Sequence, residues 1–422
     1  MSTLVIRGKQ ALSGSIRVKG SKNAALPLLA CCLLTEKPLT IENVPRIADV
    51  HNIVEILQDV GVSANIDGDS IQLKASELNM EGISKDKVGL LRGSVLLMGP
   101  LLGRLKHVRL PRPGGDVIGA RPIDTHLDAF RQMGASVIEE GDQVIVDGNN
   151  IKAGKVVMRE FSVTATENVL MLAAMTPGVT TINIAATEPH VVALAQLLRK
   201  MGAKISGEGT HTIRIEGKKK LRGVSFANIP DMLEAGFFIL TAAATGSKVL
   251  VENVPINDLL LFFKKLDEIG INYKLDNKKQ SVKVGPSELR AVSLQTLPHP
   301  GLATDLQAPF SVVATQATGS TLIHDPMYED RFKHINELKK MGAKAVVCDP
   351  HRVIVEGPTP LKGRAISSLD IRSGATMILA GLVASGETII HDAEIINRGY
   401  ERLAERLKEI GANIEQRDAN NS

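Results

Sequence analysis

ILQDVGVSANI (residues 56–66), FRQMGASVIEE (130–140), LRKMGAKISGE (198–208), LDEIGINYKLD (266–276), LKKMGAKAVVC (338–348) and LKEIGANIEQ (407–416) are six copies of one pattern. Each is an amphipathic helical turn, a glycine, and the start of an alternating strand. The glycines, Gly61, Gly134, Gly202, Gly270, Gly342 and Gly411, lie 68 to 73 residues apart, with a mean of 70. A glycine directly after an amphipathic helix is the residue that takes up the left-handed conformation at the helix end.

Two further elements keep the same period. One is a strand with a polar exit: LTIENVP (39–45), VRLPRP (108–113), TTINIAATEP (180–189), KVLVENVP (248–255), TLIHDP (321–326) and TIIHDA (388–393). The other is a helix apolar on all sides: NAALPLLACCLL (23–34), LRGSVLLMGPLLG (91–103), ENVLMLAAMTPG (167–178), DMLEAGFFILTAAATG (231–246), LQAPFSVVATQATG (306–319) and GATMILAGLVASG (374–386). A helix apolar all round is buried, and about a dozen residues is too short to span a bilayer. Each unit therefore reads strand, buried helix, strand, amphipathic helix, two strands. Six of them make a pseudo-symmetric α/β protein, either divided three and three near residue 230, the preferred reading, or closed as a single sixfold ring.

The composition fits a globular chain and narrows its function. Of the 422 residues 44% are hydrophobic and 23% charged, which excludes disordered and fibrous classes. Trp is absent, only 3% of residues are aromatic, and the net charge is +4. That argues against stacking platforms and a basic footprint for nucleic acid. No apolar run is long enough for a membrane helix, and MSTLVIRGKQ does not read as a signal peptide. Three cysteines, Cys31, Cys32 and Cys348, do not make a disulfide framework, and a reducing, cytoplasmic setting is expected. Neither metal-ligand spacing nor a cofactor fingerprint is present, so no metal and no cofactor are expected. VKGSKNAALP (18–27) has Gly-Ser-Lys where a P-loop needs Gly-Lys-Ser, and no strand–GxGxxG–helix run occurs.

The first turns of the buried helices are not apolar. Lys22 and Asn23 open the first, Arg92 the second, Thr166, Glu167 and Asn168 the third, Asp231 and Glu234 the fourth, Asp305 the fifth, Asp370 and Arg372 the sixth. Capping accounts for Asp231 and Asp370. It does not account for Lys22, Arg92 and Arg372, which oppose the helix dipole and would be reconciled with it by an anionic ligand. The segment PRPGGDVIGARPIDTHLDAF (111–130) breaks the repeat. It reads either as an Asx turn at Asp116 with Asp124 as a cap, or as a mobile lid carrying Asp116 and Arg121.

GSKNAALP (20–27), LLRGSVLLMGP (90–100), PGGDVIGARPIDTH (113–126), ATEN (165–168), PDMLEAG (230–236), TDLQAP (304–309), YEDRF (328–332), DIRSGA (370–375) and NRGYERL (397–403) together resemble the UDP-N-acetylglucosamine 1-carboxyvinyltransferases. These are enolpyruvyl transferases, and the match runs through nearly the whole chain. The sister 5-enolpyruvylshikimate-3-phosphate synthases share the repeat but lack the PGG-x-x-IGARP segment. The resemblance implies six βαβαββ-type repeats in two inside-out α/β barrel domains with an interdomain active-site cleft. One domain would be 22–229 and the other 1–21 with 230–422. It implies transfer of the enolpyruvyl group of phosphoenolpyruvate to the 3′-hydroxyl of UDP-N-acetylglucosamine, the first committed step of peptidoglycan synthesis. Both substrates are small molecules, and no nucleic acid, membrane or obligatory protein partner is implied.

By the same resemblance, Lys22, Asn23, Arg121 and Arg398 would bind phosphoenolpyruvate and its departing phosphate, with Arg331 and Arg372 toward the carboxylate. Arg92, Arg121, Pro122, Ile123, Asp124, Thr125, Ser162, Val163, Asp305 and Met327 would contact the nucleotide sugar. The catalytic set would be Asp116, Asp305, Lys22 and Arg398, with Asp305 accepting the sugar hydroxyl proton. The sequence departs from the family twice: Thr164 stands where the run Ser-Val-Gly-Ala-Thr has glycine, and Asp116 stands where most members have the cysteine alkylated by fosfomycin. The second departure implies resistance to that antibiotic, because a carboxylate is a far poorer nucleophile than a thiolate.

Overall fold

A computed structural model describes residues 2–114 and 122–418. All six repeat glycines have positive φ, between 85° and 120°, as the left-handed ends of amphipathic helices require. The six apolar stretches are helical: α1 (Lys22–Ala30), α2 (Met98–Leu105), α3 (Val163–Met175), α4 (Met232–Ala244), α5 (Gln307–Gln316) and α6 (Ile371–Val383). Every residue of α6 is buried, as are Ala165 to Ala174 in α3.

The strands form five four-stranded sheets and one three-stranded sheet. In each four-stranded sheet a short edge strand runs parallel to the strand that follows a buried helix, and in four of the five a hairpin-type antiparallel pair completes it. In the sheet containing Glu387–His391 the hairpin's place is taken by Ser2–Arg7, paired with Glu387–His391 on one side and Asn413–Asp418 on the other. Strands such as Thr212–Gly217 alternate buried and exposed residues. The sheets thus carry one wet face while the helices are enclosed, the reverse of an ordinary α/β layer order. The expected barrels are corrected here: among the described residues every sheet is open. Closing a sheet into a barrel with a filled interior takes about eight strands, and these sheets stop at four and three.

The chain forms two compact units. Gly20 to Gly114 with Pro122 to Ile229 make one, around a core from Ala24 to Phe226. The described residues up to Lys19, with those from Pro230 on, make the other, around a core from Leu4 to Ile414. The division falls after Lys19, not after residue 21, for a steric reason. A Cβ on Gly20 would lie 1.8 Å from the Asn43 carbonyl oxygen, and Ser21 N–H donates to the Ile229 carbonyl at 2.7 Å. Both residues are therefore part of the 20–229 unit.

Candidate active site

In the unit of residues 230–418, α6 is capped by Asp370, whose carboxylate accepts from the backbone N–H of Arg372 (2.9 Å) and Ser373 (3.0 Å). The cap starts the helix beside Arg372 and fixes that side chain's origin. Arg372 Nε then donates to Asp305 Oδ2 at 2.9 Å, and Arg331 Nη2 donates to Asp305 Oδ1 at 2.7 Å. The Arg331 guanidinium lies over the Tyr328 ring and that of Arg372 over the Tyr400 ring, at 5.0 and 5.1 Å. Burial works to raise the Asp305 pKa, but the two guanidinium groups outweigh it and hold the carboxyl well below the usual carboxylate range.

This triad has two cations on one anion, all largely buried. Two of its N–H groups, Arg331 Nε and Arg372 Nη1, are buried without an acceptor among the described residues. Buried donors are nearly always satisfied, so a positive, donor-rich site with unused N–H groups is built to receive an anion with planar paired oxygens. Met327 is half-buried nearby in sequence, its N–H donating to Asp325 Oδ1 at 3.0 Å. Arg398 ends a short helical segment (Ala393–Arg398) and is half-buried.

In the 20–229 unit, Ser21 caps α1, its hydroxyl accepting from Ala24 N–H. Lys22 Nζ meets Asp49 Oδ2 at 2.6 Å, with side-chain exposures of 12% and 2%. A carboxylate from the amphipathic helix Ala48–Asp59 therefore offsets the clash of Lys22 with the dipole of its own helix. A lone acid on an apolar helix face was the one sign of it in the sequence. Asn23 is half-buried beside it. Arg92 donates to the Pro122 carbonyl at 3.1 Å, and Thr125 Oγ1 to Glu160 Oε1 at 2.8 Å. Ile123 is buried and precedes the helix Asp124–Gln132, so Asp124 is its first residue and not its cap. Ser162 caps α3 through Ala165 N–H, with Val163 half-buried in the first turn. Asp116 and Arg121 lie outside the described residues.

Thr164, the departure from glycine, sits in the first turn of α3 in helical conformation. Its hydroxyl lies 3.1 Å from His126 Nε2. The other ring nitrogen, Nδ1, lies 3.0 Å from Asn168 Nδ2, and Asn168 Oδ1 accepts from Gly99 N–H at 2.6 Å. That orientation makes Nδ1 the acceptor and puts the proton on Nε2. Burial, reinforced by Arg92, pushes His126 down to about 3. This neutral network has no sequence signature, because its hydrogen-bonded pairs are 38 to 69 residues apart.

The family model of EPSP synthase (3-phosphoshikimate 1-carboxyvinyltransferase) matches residues 6–407. The chain superposes on the enolpyruvyl transferase NikO of Streptomyces tendae with a TM-score of 0.89, at 26% identity and covering 99% of both chains. An EPSP synthase of Acinetobacter baumannii, at 22% identity and TM-score 0.75 over 99% of this chain and all of that one, shares the fold. A UDP-N-acetylglucosamine 1-carboxyvinyltransferase of Magnetococcus marinus is 42% identical, covering 99% of both chains. One from Caldanaerobacter subterraneus is 38% identical over 97% of this chain and 98% of its own. The chain belongs to the α/β carboxyvinyltransferase family, and within it to the UDP-N-acetylglucosamine 1-carboxyvinyltransferases.

Proposed function

We propose that the chain transfers the enolpyruvyl group of phosphoenolpyruvate to the 3′-hydroxyl of UDP-N-acetylglucosamine, releasing phosphate and opening peptidoglycan synthesis in the cytoplasm. The observation that carries this reading is the buried Arg331–Asp305–Arg372 cluster with its two unused N–H groups. It offers fixed donors to a carboxylate, as the reaction needs. No described helix is long and apolar enough to cross a membrane.

In the first step the sugar oxygen bonds to C2 of phosphoenolpyruvate while C3 gains a proton, giving a tetrahedral ketal. In the second, C3 loses a proton and the C2–O bond to phosphate breaks, leaving the enolpyruvyl ether. Arg331 and Arg372 hold the carboxylate through both steps. Lys22, Arg121 and Arg398, with Asn23, take the phosphate and its growing charge. Arg92, the run Pro122, Ile123, Asp124 and Thr125, and Ser162, Val163 and Met327 seat the nucleotide sugar. Asp305, held ionised by its two arginines, orients the hydroxyl and accepts its proton as C2 becomes electrophilic. So acidic a carboxyl is a weak base, and protonation at C3 must lead. Asp116 is the proton donor for that step.

The test is phosphate release from phosphoenolpyruvate with each acceptor in turn. Release with UDP-N-acetylglucosamine and not with shikimate 3-phosphate is expected, and the reverse result overturns the assignment. The wild type is expected to keep its activity after incubation with fosfomycin and Asp116→Cys to lose it. Equal rates of inactivation would remove Asp116 from the position given to it.

A further inference from the structure

Asp325 is fully buried and, among the described residues, makes no direct ion pair, although Arg331 feels its charge. Burying an ionised carboxylate is costly unless its oxygens are well used. Here each oxygen holds a different segment. Oδ2 accepts from the Thr304 hydroxyl at 2.5 Å, and Oδ1 from the Met327 N–H at 3.0 Å. Thr304 is the residue before Asp305, and Met327 lies four residues before Arg331. The Asp325 backbone is fixed in turn. Its N–H donates to the His351 carbonyl at 2.7 Å, and His351 Nδ1 donates back to the Asp325 carbonyl at 2.8 Å. His351 N–H is tied to Asp349 at 2.8 Å in the hairpin between Lys344–Asp349 and Arg352–Gly357. The turn of that hairpin thus holds in place, through His351, a carboxylate at the end of the strand Gly319–His324 that grips the two segments bearing Asp305 and Met327.

We propose that Asp325 is a positioning residue for the acceptor sugar: through Thr304 and Met327 it sets the separation of Asp305 from the nucleotide-sugar contact. It touches neither substrate itself. The inference rests on the function proposed above and adds a division of labour, since Asp325 serves the acceptor and not phosphoenolpyruvate.

The experiment measures both KM values and kcat for wild type, Thr304→Val, Asp325→Asn and Asp325→Ala. Thr304→Val keeps the shape and removes one arm of the clamp. It is expected to raise the KM for UDP-N-acetylglucosamine about tenfold, the worth of one hydrogen bond to a charged group, while the KM for phosphoenolpyruvate stays near the wild-type value. Asp325→Asn can accept from Met327 and donate to Thr304, so it is expected to recover most of what Asp325→Ala loses. Wild-type constants in both Thr304→Val and Asp325→Asn would overturn the clamp. So would equal rises in both KM values with a lowered melting temperature, which mark a merely structural residue. A wild type that releases no phosphate with this acceptor would instead overturn the function beneath it.

Discussion

At the scale of single residues, two buried groups with lowered pKa values show themselves differently, one in catalysis and the other in stability. Asp305 is held ionised by Arg331 and Arg372, so it does not titrate in the neutral range. Asp305→Asn is expected to lower kcat/KM at least about a hundredfold while leaving the pH values at which the profile breaks unchanged. A break that vanishes in the variant would show that Asp305 was titrating after all. His126, neutral in the fold with its pKa pushed down to about 3, protonates more readily when unfolded, near its ordinary 6.5. Its contribution to stability is complete above the unfolded value and is lost as the pH falls toward the folded one, by about 1.4 kcal/mol per unit. Denaturant titrations at falling pH should therefore give a shallower slope for His126→Gln than for wild type, and parallel slopes would contradict it. The residue types of the anion site were legible in the sequence because charges at the start of an apolar helix stand out. Asp49, His126 and Asp325 were not, since their meaning lies in partners brought from other elements.

The elements were the most legible level, because a 70-residue period and positive-φ glycines are local signals. Sheet order was less so: a parallel edge strand pairs with a strand well separated from it in sequence, and no local pattern announces the pairing. Close helix packing is likewise invisible until the helices are placed. At Gly99 in α2 a Cβ would come 2.4 Å from the Asn168 carbonyl oxygen and 2.8 Å from its side-chain oxygen. Backbone there has no flexible end to move aside. Gly99→Ala is expected to destabilise the protein by about 1–3 kcal/mol, read as a lowered denaturant midpoint. An unchanged midpoint would mean that α2 and α3 separate freely.

At the scale of the whole molecule, length alone allowed two to four domains, and the repeat reduced that to two. Each unit has its own apolar core, and each has its own buried polar tie. In the second unit Arg406 pairs with Glu234, whose other oxygen accepts Lys19 N–H at 2.7 Å, and Arg406 also donates to the Arg17 carbonyl at 2.7 Å. Removing one partner of such a pair leaves a buried charge and costs about 3–5 kcal/mol. Calorimetry is expected to resolve two transitions, with Arg406→Met lowering one and Gly99→Ala the other. One transition moved by both variants would show a single cooperative body. The near-neutral composition hid where the charge sits, because cations gathered at a few helix starts are balanced by acids elsewhere.

The strand Ser2–Arg7 finds its neighbours only at Glu387–His391 and Asn413–Asp418. On the ribosome, at about 5–20 residues per second, it waits roughly 20–80 s for the first of them to be made. During that time the residues from Gly20 to Ile229 have everything they need to fold, while Leu4, Val5 and Ile6, buried in the finished protein, hang outside with both strand edges open. The strand is thus the last part of its own sheet to be paired, although it is made well before its neighbours.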